Sequence, residues 1–278
     1  MMTDPSEPIL IEAGKHRHSL DLRELRSYGD LTRFLIWRGV KVRYAQSALG
    51  VGWAIMEPLA QVLIYTLIFG YVIGVRVATE QPYFLFVFAG LVPWTFFSNA
   101  LTQATESLSQ NANLLSKVYF PRIILPISNV GTRLVDFTIA FVILIALLLA
   151  YGVVPSLNIL WLPLLILILM VAGLGVGLGL AALAIQYRDV NYAVGFMVQL
   201  LKFAVPIVYP ITLVPEEWRL LYAINPMVGV VEGFRAALFA DSPMPWDYIA
   251  IGAVSATVLF AIGLSYFVRR EHLFADVG

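Results

Sequence analysis

The chain alternates long apolar runs with short polar breaks. Runs at 53–75, 83–105, 125–151, 159–186, 192–212 and 247–268 are almost wholly apolar. A hydrocarbon core about 30 Å thick needs roughly 20 residues of helix to cross it, and each run supplies that length. Backbone in lipid must satisfy its own hydrogen bonds, so the runs predict helices. The pattern therefore predicts an all-α membrane protein with six transmembrane helices and both termini on one side.

Three segments interrupt this pattern without spanning. Residues 30–49 (DLTRFLIWRGVKVRYAQSAL) read as a basic amphipathic helix, with Asp30 suited to the N-cap. Leu31, Phe34, Leu35 and Val42 form its apolar face beside Arg33, Arg38, Lys41 and Arg43. Such a helix lies in the membrane interface, with its basic groups at phosphate level. There Arg38, Lys41 and Arg43 either anchor the helix or meet the anionic head of a lipid substrate.

The loop 106–122 (ESLSQNANLLSKVYFPR) is polar, then briefly apolar, then closed by Pro121. It predicts a short helix presenting Leu114, Leu115, Val118, Tyr119 and Phe120 beside Lys117. These apolar side chains either fold back on the membrane or dock a partner. The stretch 213–246 is too long for a turn, and Pro215, Pro226, Pro243 and Pro245 break it. Two short helices dipping into the outer leaflet fit it best. The second begins with Asn225 as N-cap and Pro226 at the first helical position. Glu232 and Arg235, three apart, can pair on one face of that helix. Non-helical backbone at such depth must be buried in protein or line water, which points to a lid.

Charge placement orients the bundle. Lys15, Arg17, Arg23, Arg26, Arg33, Arg38, Lys41 and Arg43 precede the first run, and Lys117, Arg122, Arg188, Arg269 and Arg270 follow on the same side. The opposite loops hold Arg76, Arg219 and Arg235. By the positive-inside rule both termini are cytoplasmic. The first 30 residues carry no apolar run, so they do not read as a secretory signal. The chain divides into a polar tail (1–18), an amphipathic interfacial segment (19–52), a six-span domain (53–270) and a second tail (271–278).

Composition narrows the chemistry. Only 13% of the 278 residues are charged, against roughly 25% in a soluble domain. Cysteine is absent, which removes disulfides and Cys-based metal sites, and His16, His18 and His272 all lie in polar end segments. A phosphate-cradling GxxxxGK[ST] loop is missing, as are HExxH, GxSxG and any acidic cluster for a divalent metal. If the protein pumps, its energy comes from another chain. A membrane enzyme would need catalytic carboxylates or histidines near an interface. A secondary carrier would more naturally show inverted repeats of broken helices, which are not seen here.

Two runs carry polar and aromatic rows that lipid-facing helices do not need. In the first, Trp53, Glu57, Gln61, Tyr65 and Phe69 recur every four residues, drifting about 40° per step. In the fifth, Tyr192, Phe196, Gln199, Phe203 and Pro206 keep nearly one face, with Lys202 beside them. Aromatic rings offer flat apolar platforms and glutamine both donates and accepts, a pairing that suits a glycan in passage. The alternative is that the same residues pack helix on helix. Gly173, Gly175, Gly177 and Gly179 in the fourth run mark a further close-packing surface, within or between subunits. Glu57, Asp136 and Lys202 are ionisable groups within the runs, with Arg133 placed to neutralise Asp136.

Five blocks resemble the permeases of type-2 ABC exporters, in the branch that exports O-antigen, teichoic acid and capsular polysaccharide. They are VRYAQSALGVGWAIMEPL (42–59), FAGLVPWTFFSNAL (88–101), NANLLSKVYFPRIILP (111–126), YRDVNY (187–192) and PIVYPITLVPEEWRLLYAINPMVGVVEGFR (206–235). The resemblance implies a homodimer of six-span subunits in the bacterial inner membrane, with two copies of a cytoplasmic ATPase that bind ATP and magnesium; no cofactor is expected in this chain, and no nucleic acid. It implies that 106–122 holds the coupling helix and that the N-terminal amphipathic helix lies where ATPase and membrane meet. The first and fifth spans would line the channel, and 213–240, with Trp218, Asn225, Pro226, Glu232 and Arg235, would form the periplasmic gate. The substrate it implies is a glycan on undecaprenyl diphosphate or a related polyol-phosphate polymer.

Overall fold

The computed structural model describes residues 22–45, 50, 52–75, 81–115, 117–118, 120–240 and 243–271. Tyr119, the tail 1–18 and all of the tail 271–278 except Glu271 lie outside them. Eleven α-helices are described: α1 (Leu22–Ser27), α2 (Gly29–Tyr44), α3 (Gly52–Tyr65), α4 (Tyr83–Gln110), α5 (Ala112–Leu115), α6 (Ile124–Ala150), α7 (Leu162–Gln186), α8 (Asp189–Leu201), α9 (Glu216–Tyr222), α10 (Pro226–Leu238) and α11 (Trp246–Arg270). A π-helical stretch, Thr66–Val72, extends α3, and a 3₁₀ turn, Leu157–Trp161, leads into α7.

Among the described residues five helical segments are long and apolar enough to cross a membrane: Gly52–Val72, Tyr83–Gln110, Ile124–Ala150, Leu157–Gln186 and Trp246–Arg270. The expected helix over 192–212 does not form as one element. It is α8, then a 3₁₀ turn (Lys202–Ala204), then backbone that leaves helical geometry at Val205. Proline explains the break. Pro206 cannot donate to a helical carbonyl and pushes the residue before it out of the helical region, and Val205 is extended (φ −136°, ψ 138°).

The central helix is α4. It is buried along most of its length and packs on α3, α6, α7, α8 and α10. Contact between α4 and α7 is close because Gly173 and Gly177 face Ala100 and Ala104. On the opposite side of α7, Gly175 and Gly179 receive α11: a Cβ on Gly175 would overlap the Phe260 backbone. The α7 glycines therefore serve two contacts inside the subunit. By contrast α3 buries only Pro58 and Val62 and leaves a long apolar face open.

The bundle has a basic end and an opposite end. At the basic end α2 lies on α6, with Leu35 buried and Ile36 and Gly39 against Gly131 and Thr132. The helix begins at Gly29, so Asp30 sits in its first turn, pairing with Arg33 at 3.8 Å, and does not cap it. Phe34 and Val42 do not belong to the buried face. Both are exposed, and Phe34 lies near Trp37 on the open side. At the opposite end α9 and α10 form two short helices as expected, with Asn225 accepting from the Met227 amide at 3.1 Å and Pro226 in the first turn.

Candidate functional site

The two rows meet at one point. Lys202, at the end of α8, reaches α3: its Nζ lies 3.4 Å from Gln61 Oε1 and 4.6 Å from the centroid of the Tyr65 ring. Tyr65 in turn neighbours Phe69, their ring centroids 6.2 Å apart. Among the described residues the other row members have no partner across to the facing row. Trp53, Glu57, Phe196, Gln199 and Phe203 are exposed, and Tyr192 is 82% exposed. Pro206 is buried where the chain leaves the helix. The arrangement is an open aromatic-and-amide surface on α8 and a half-buried row on α3 (Gln61, Tyr65 and Phe69), joined by one ammonium.

Beyond Lys202 the chain leaves helical geometry, and four of its carbonyls are met by side chains. Tyr209 Oη donates to the Phe203 carbonyl at 2.9 Å, and Asn225 Nδ2 to that of Ala204 at 3.0 Å. Arg235 Nη2 donates to the Ile207 carbonyl at 2.7 Å, and the Tyr83 hydroxyl to that of Val208. This is the condition under which irregular backbone survives away from water. Asn225 thus has a second task beside its cap. The predicted Glu232–Arg235 pair forms at 2.7 Å, and Arg235, only 4% exposed, also stacks 3.5 Å from the Phe86 ring centroid. Tyr83 and Tyr209 carried no signal in the sequence, since only the fold brings them to these carbonyls. Trp218, on α9, is exposed.

At the basic end the three head-group candidates have partners within the chain. Arg38 donates to Asn111 Oδ1 at 3.0 Å, joining α2 to the loop before α5. Lys41 sits 4.9 Å over the Trp37 ring. Arg43 Nε is 3.3 Å from Asp136 Oδ2, which Arg133 also meets at 3.1 Å. The Tyr44 hydroxyl donates to the other oxygen of Asp136. Partial burial, and then that bond, push the Tyr44 hydroxyl up to about 12. Glu57 lines a small cavity with Arg43, Arg133 and Asp136. Asp136 is therefore held by two arginines and a phenol, and the cluster fastens α2 to α6.

The loop after α5 divides. Phe120 is 4% exposed and packs with Leu35, Leu108, Ile124, Leu178 and Phe267. The expectation that it is presented for docking is corrected: its ring fills the junction of α2, α4, α6, α7 and α11. Leu114 and Leu115 are half-buried against the same cluster, and Lys117 and Val118 are exposed. A cavity of about 620 Å³ opens beside this loop, between α4, α5, α7 and α8, lined in part by Glu106, Gln110, Leu115, Arg188 and Tyr192. Among the described residues no group of three His, Asp or Glu side chains is placed to hold a metal ion.

Residues 30–239 match the family described as ABC-2 type transporter. The chain is 33% identical over 253 residues to the O-antigen export system permease protein RfbA of Myxococcus xanthus, covering 90% of this chain and 96% of that one. A protein of the same name from Klebsiella pneumoniae is 30% identical over 249 residues, 89% of this chain and 95% of its own. The polysialic acid transport protein KpsM of Escherichia coli is 26% identical over 245 residues, 85% and 92% of the two chains. With five helices of spanning length, the chain is a multi-pass membrane protein, and it belongs to the ABC-2 type transporter family.

Proposed function

We propose that this chain is the membrane-spanning subunit of an exporter that moves a lipid-linked polysaccharide of the O-antigen kind from cytoplasm to periplasm. It works in the bacterial inner membrane as a homodimer with two copies of a separate ATPase, which bind ATP and magnesium. The carrying observation is the meeting of two aromatic-and-amide rows, half-buried on α3 and open on α8, in a chain whose relatives along nine-tenths of its length are named for O-antigen export. The likeness to a polysialic acid transport protein, at 26% identity, makes a capsular polymer the second reading. Teichoic acid export by the same machinery comes third.

The sixth crossing in this reading is α8 with the backbone beyond it. Tyr192 shares a cavity with Gln110 near the end of α4, whereas Ile207 lies against Gly90 and Arg235 near its start. The 20 or so residues of α4 between those levels span about 30 Å, the thickness of the hydrocarbon core. Six crossings return the C-terminus to the side of the N-terminus. Arg219 and Arg235, the basic residues of α9 and α10, are paired with Glu216 and Glu232, which leaves the net positive charge at the end holding α2, Lys117 and Arg188. That end is cytoplasmic in this reading.

ATPase movement enters at the loop carrying α5, Lys117 and Val118. It passes to α2 through the Arg38–Asn111 bond and to α6 through Arg43 and Asp136. The α9–α10 segment closes the periplasmic side. The test is purification of the chain with its ATPase and transport in proteoliposomes. ATP-dependent movement of a prenyl-diphosphate glycan supports the proposal; transport by this chain alone, driven by a proton gradient, overturns it.

A further inference from the structure

Lys202 carries a charge where charge is costly. Leu201, its neighbour, lines one cavity with Trp94, Phe97 and Leu101, midway along the 28-residue helix α4. An ionisable group at such depth is expensive to keep and calls for a functional explanation. The groups around its ammonium are an amide oxygen (Gln61) and an aromatic face (Tyr65), both neutral. The carbonyl dipoles at the end of α8 add partial negative charge and no more. Among the described residues no carboxylate pairs with it.

Asp136 shows what the alternative looks like. This chain neutralises that carboxylate with two arginines and a phenol, and buries Arg235 on Glu232 and a backbone carbonyl. Lys202, deep along α4, is left instead with an amide dipole and a ring, beside the exposed Gln199 and Phe203. Resting on the exporter reading, we propose that Lys202 is a transfer site for an anionic group of the passing substrate, a phosphate or a carboxylate. Gln61 and Tyr65 hold the ammonium between passages, and the arriving anion replaces them with a charge-assisted hydrogen bond. A lysine suits a site that must release what it binds: its ammonium is a mobile point charge, without the rigid bidentate fork of arginine. In the proposed homodimer the second copy brings a second ammonium to the same depth.

Two sources supply this chemistry: the diphosphate of the lipid carrier and acidic sugars in the polymer. The experiment compares the intact permease–ATPase complex in proteoliposomes carrying Lys202→Gln or Lys202→Arg. Lys202→Gln removes the charge and keeps an amide that can donate to Gln61. The probes are a prenyl-diphosphate-linked neutral oligosaccharide and its counterpart containing uronic acids, and the readout is the initial rate of ATP-driven transport. Lys202→Gln is expected to slow transport by about tenfold or more, as loss of one transit-stabilising charge contact predicts, while Lys202→Arg stays within about threefold of wild type. Equal loss for both probes assigns the diphosphate, and loss confined to the acidic probe assigns the sugar carboxylates. Wild-type rates in Lys202→Gln for both probes overturn the proposal. So does an equal loss in both variants, which marks Lys202 as a mere tether between α3 and α8. If the wild-type complex moves neither probe, the exporter reading itself fails and this proposal falls with it.

Discussion

Replacing Arg235 with methionine tests how the end of the bundle opposite the basic one is built. Methionine keeps much of the apolar stem and removes the guanidinium. Four contacts then go: the 2.7 Å bond to Glu232, the 2.7 Å bond to the Ile207 carbonyl, the longer 3.4 Å bond to the carbonyl of helical Phe86, and the stacking on the Phe86 ring. The dominant cost comes from Glu232, mostly buried and left without its cation, and breaking a buried pair on one side costs about 3–5 kcal/mol. The Ile207 carbonyl, outside any helix, loses its Arg235 donor and adds about 1–3 kcal/mol if it goes unmet. Removing both charges separates the terms. Arg235→Met with Glu232→Met leaves only the carbonyl unmet and should cost about 1–3 kcal/mol, less than the single change. The assay is reversible unfolding in mixed detergent–SDS micelles, read by far-UV circular dichroism for wild type, single and double variants. A single variant within about 1 kcal/mol of wild type would mean that water reaches the pair and that it behaves as a surface bridge. A double variant no better than the single would remove Glu232 as the source of the cost. Either result refutes the reasoning.

Gly175→Ala places a methyl on the Phe260 backbone and should destabilise by about 1–3 kcal/mol. Gly179→Ala meets the Gly263 Cα at an ordinary 3.4 Å and should be near neutral, with thermal unfolding in detergent comparing the two. Phe120→Asp puts a carboxylate into the cluster around Leu108 and Phe267, and should cost the folded, monodisperse state. Val118→Asp, on an exposed site, should keep that state and lower ATP-driven export; size-exclusion profiles beside transport rates decide. Tyr44→Phe loses the bond to Asp136 and, the site being part-exposed, should cost about 1 kcal/mol. Because the Tyr44 hydroxyl is raised from 10.0 to about 12, its contribution is complete below pH 10 and fades as pH rises through the folded value. The difference between wild type and Tyr44→Phe should accordingly be flat between about pH 6 and 9.

Run length and hydropathy reveal the five long helices, because both follow directly from bilayer thickness. They fail over 192–212 for a physical reason. Hydropathy records the absence of water, and residues 205–208 are buried in protein as thoroughly as a helix is buried in lipid. Pro206 was the available sign that the helix ends there. The α7 glycines teach a similar lesson: residues two apart point about 200° away from each other, so 173 and 177 cannot share a face with 175 and 179. Which partner each pair meets needed the fold, as did the bonds from Arg38 to Asn111 and from Arg43 to Asp136, 73 and 93 positions apart. The candidate residues separate by the same criterion. Those read as head-group and gate residues (Arg38, Arg43, Asn225, Glu232 and Arg235) are engaged inside the subunit, and so is Phe120. Most of the aromatic-and-amide rows, Trp53, Tyr192, Phe196, Gln199 and Phe203, stay open. Residue type marks both groups alike, because arginine and tyrosine serve internal bonds and substrates equally well. Only the assignment of partners divides them, and the side chains left over are those that a second subunit or a passing glycan can still touch.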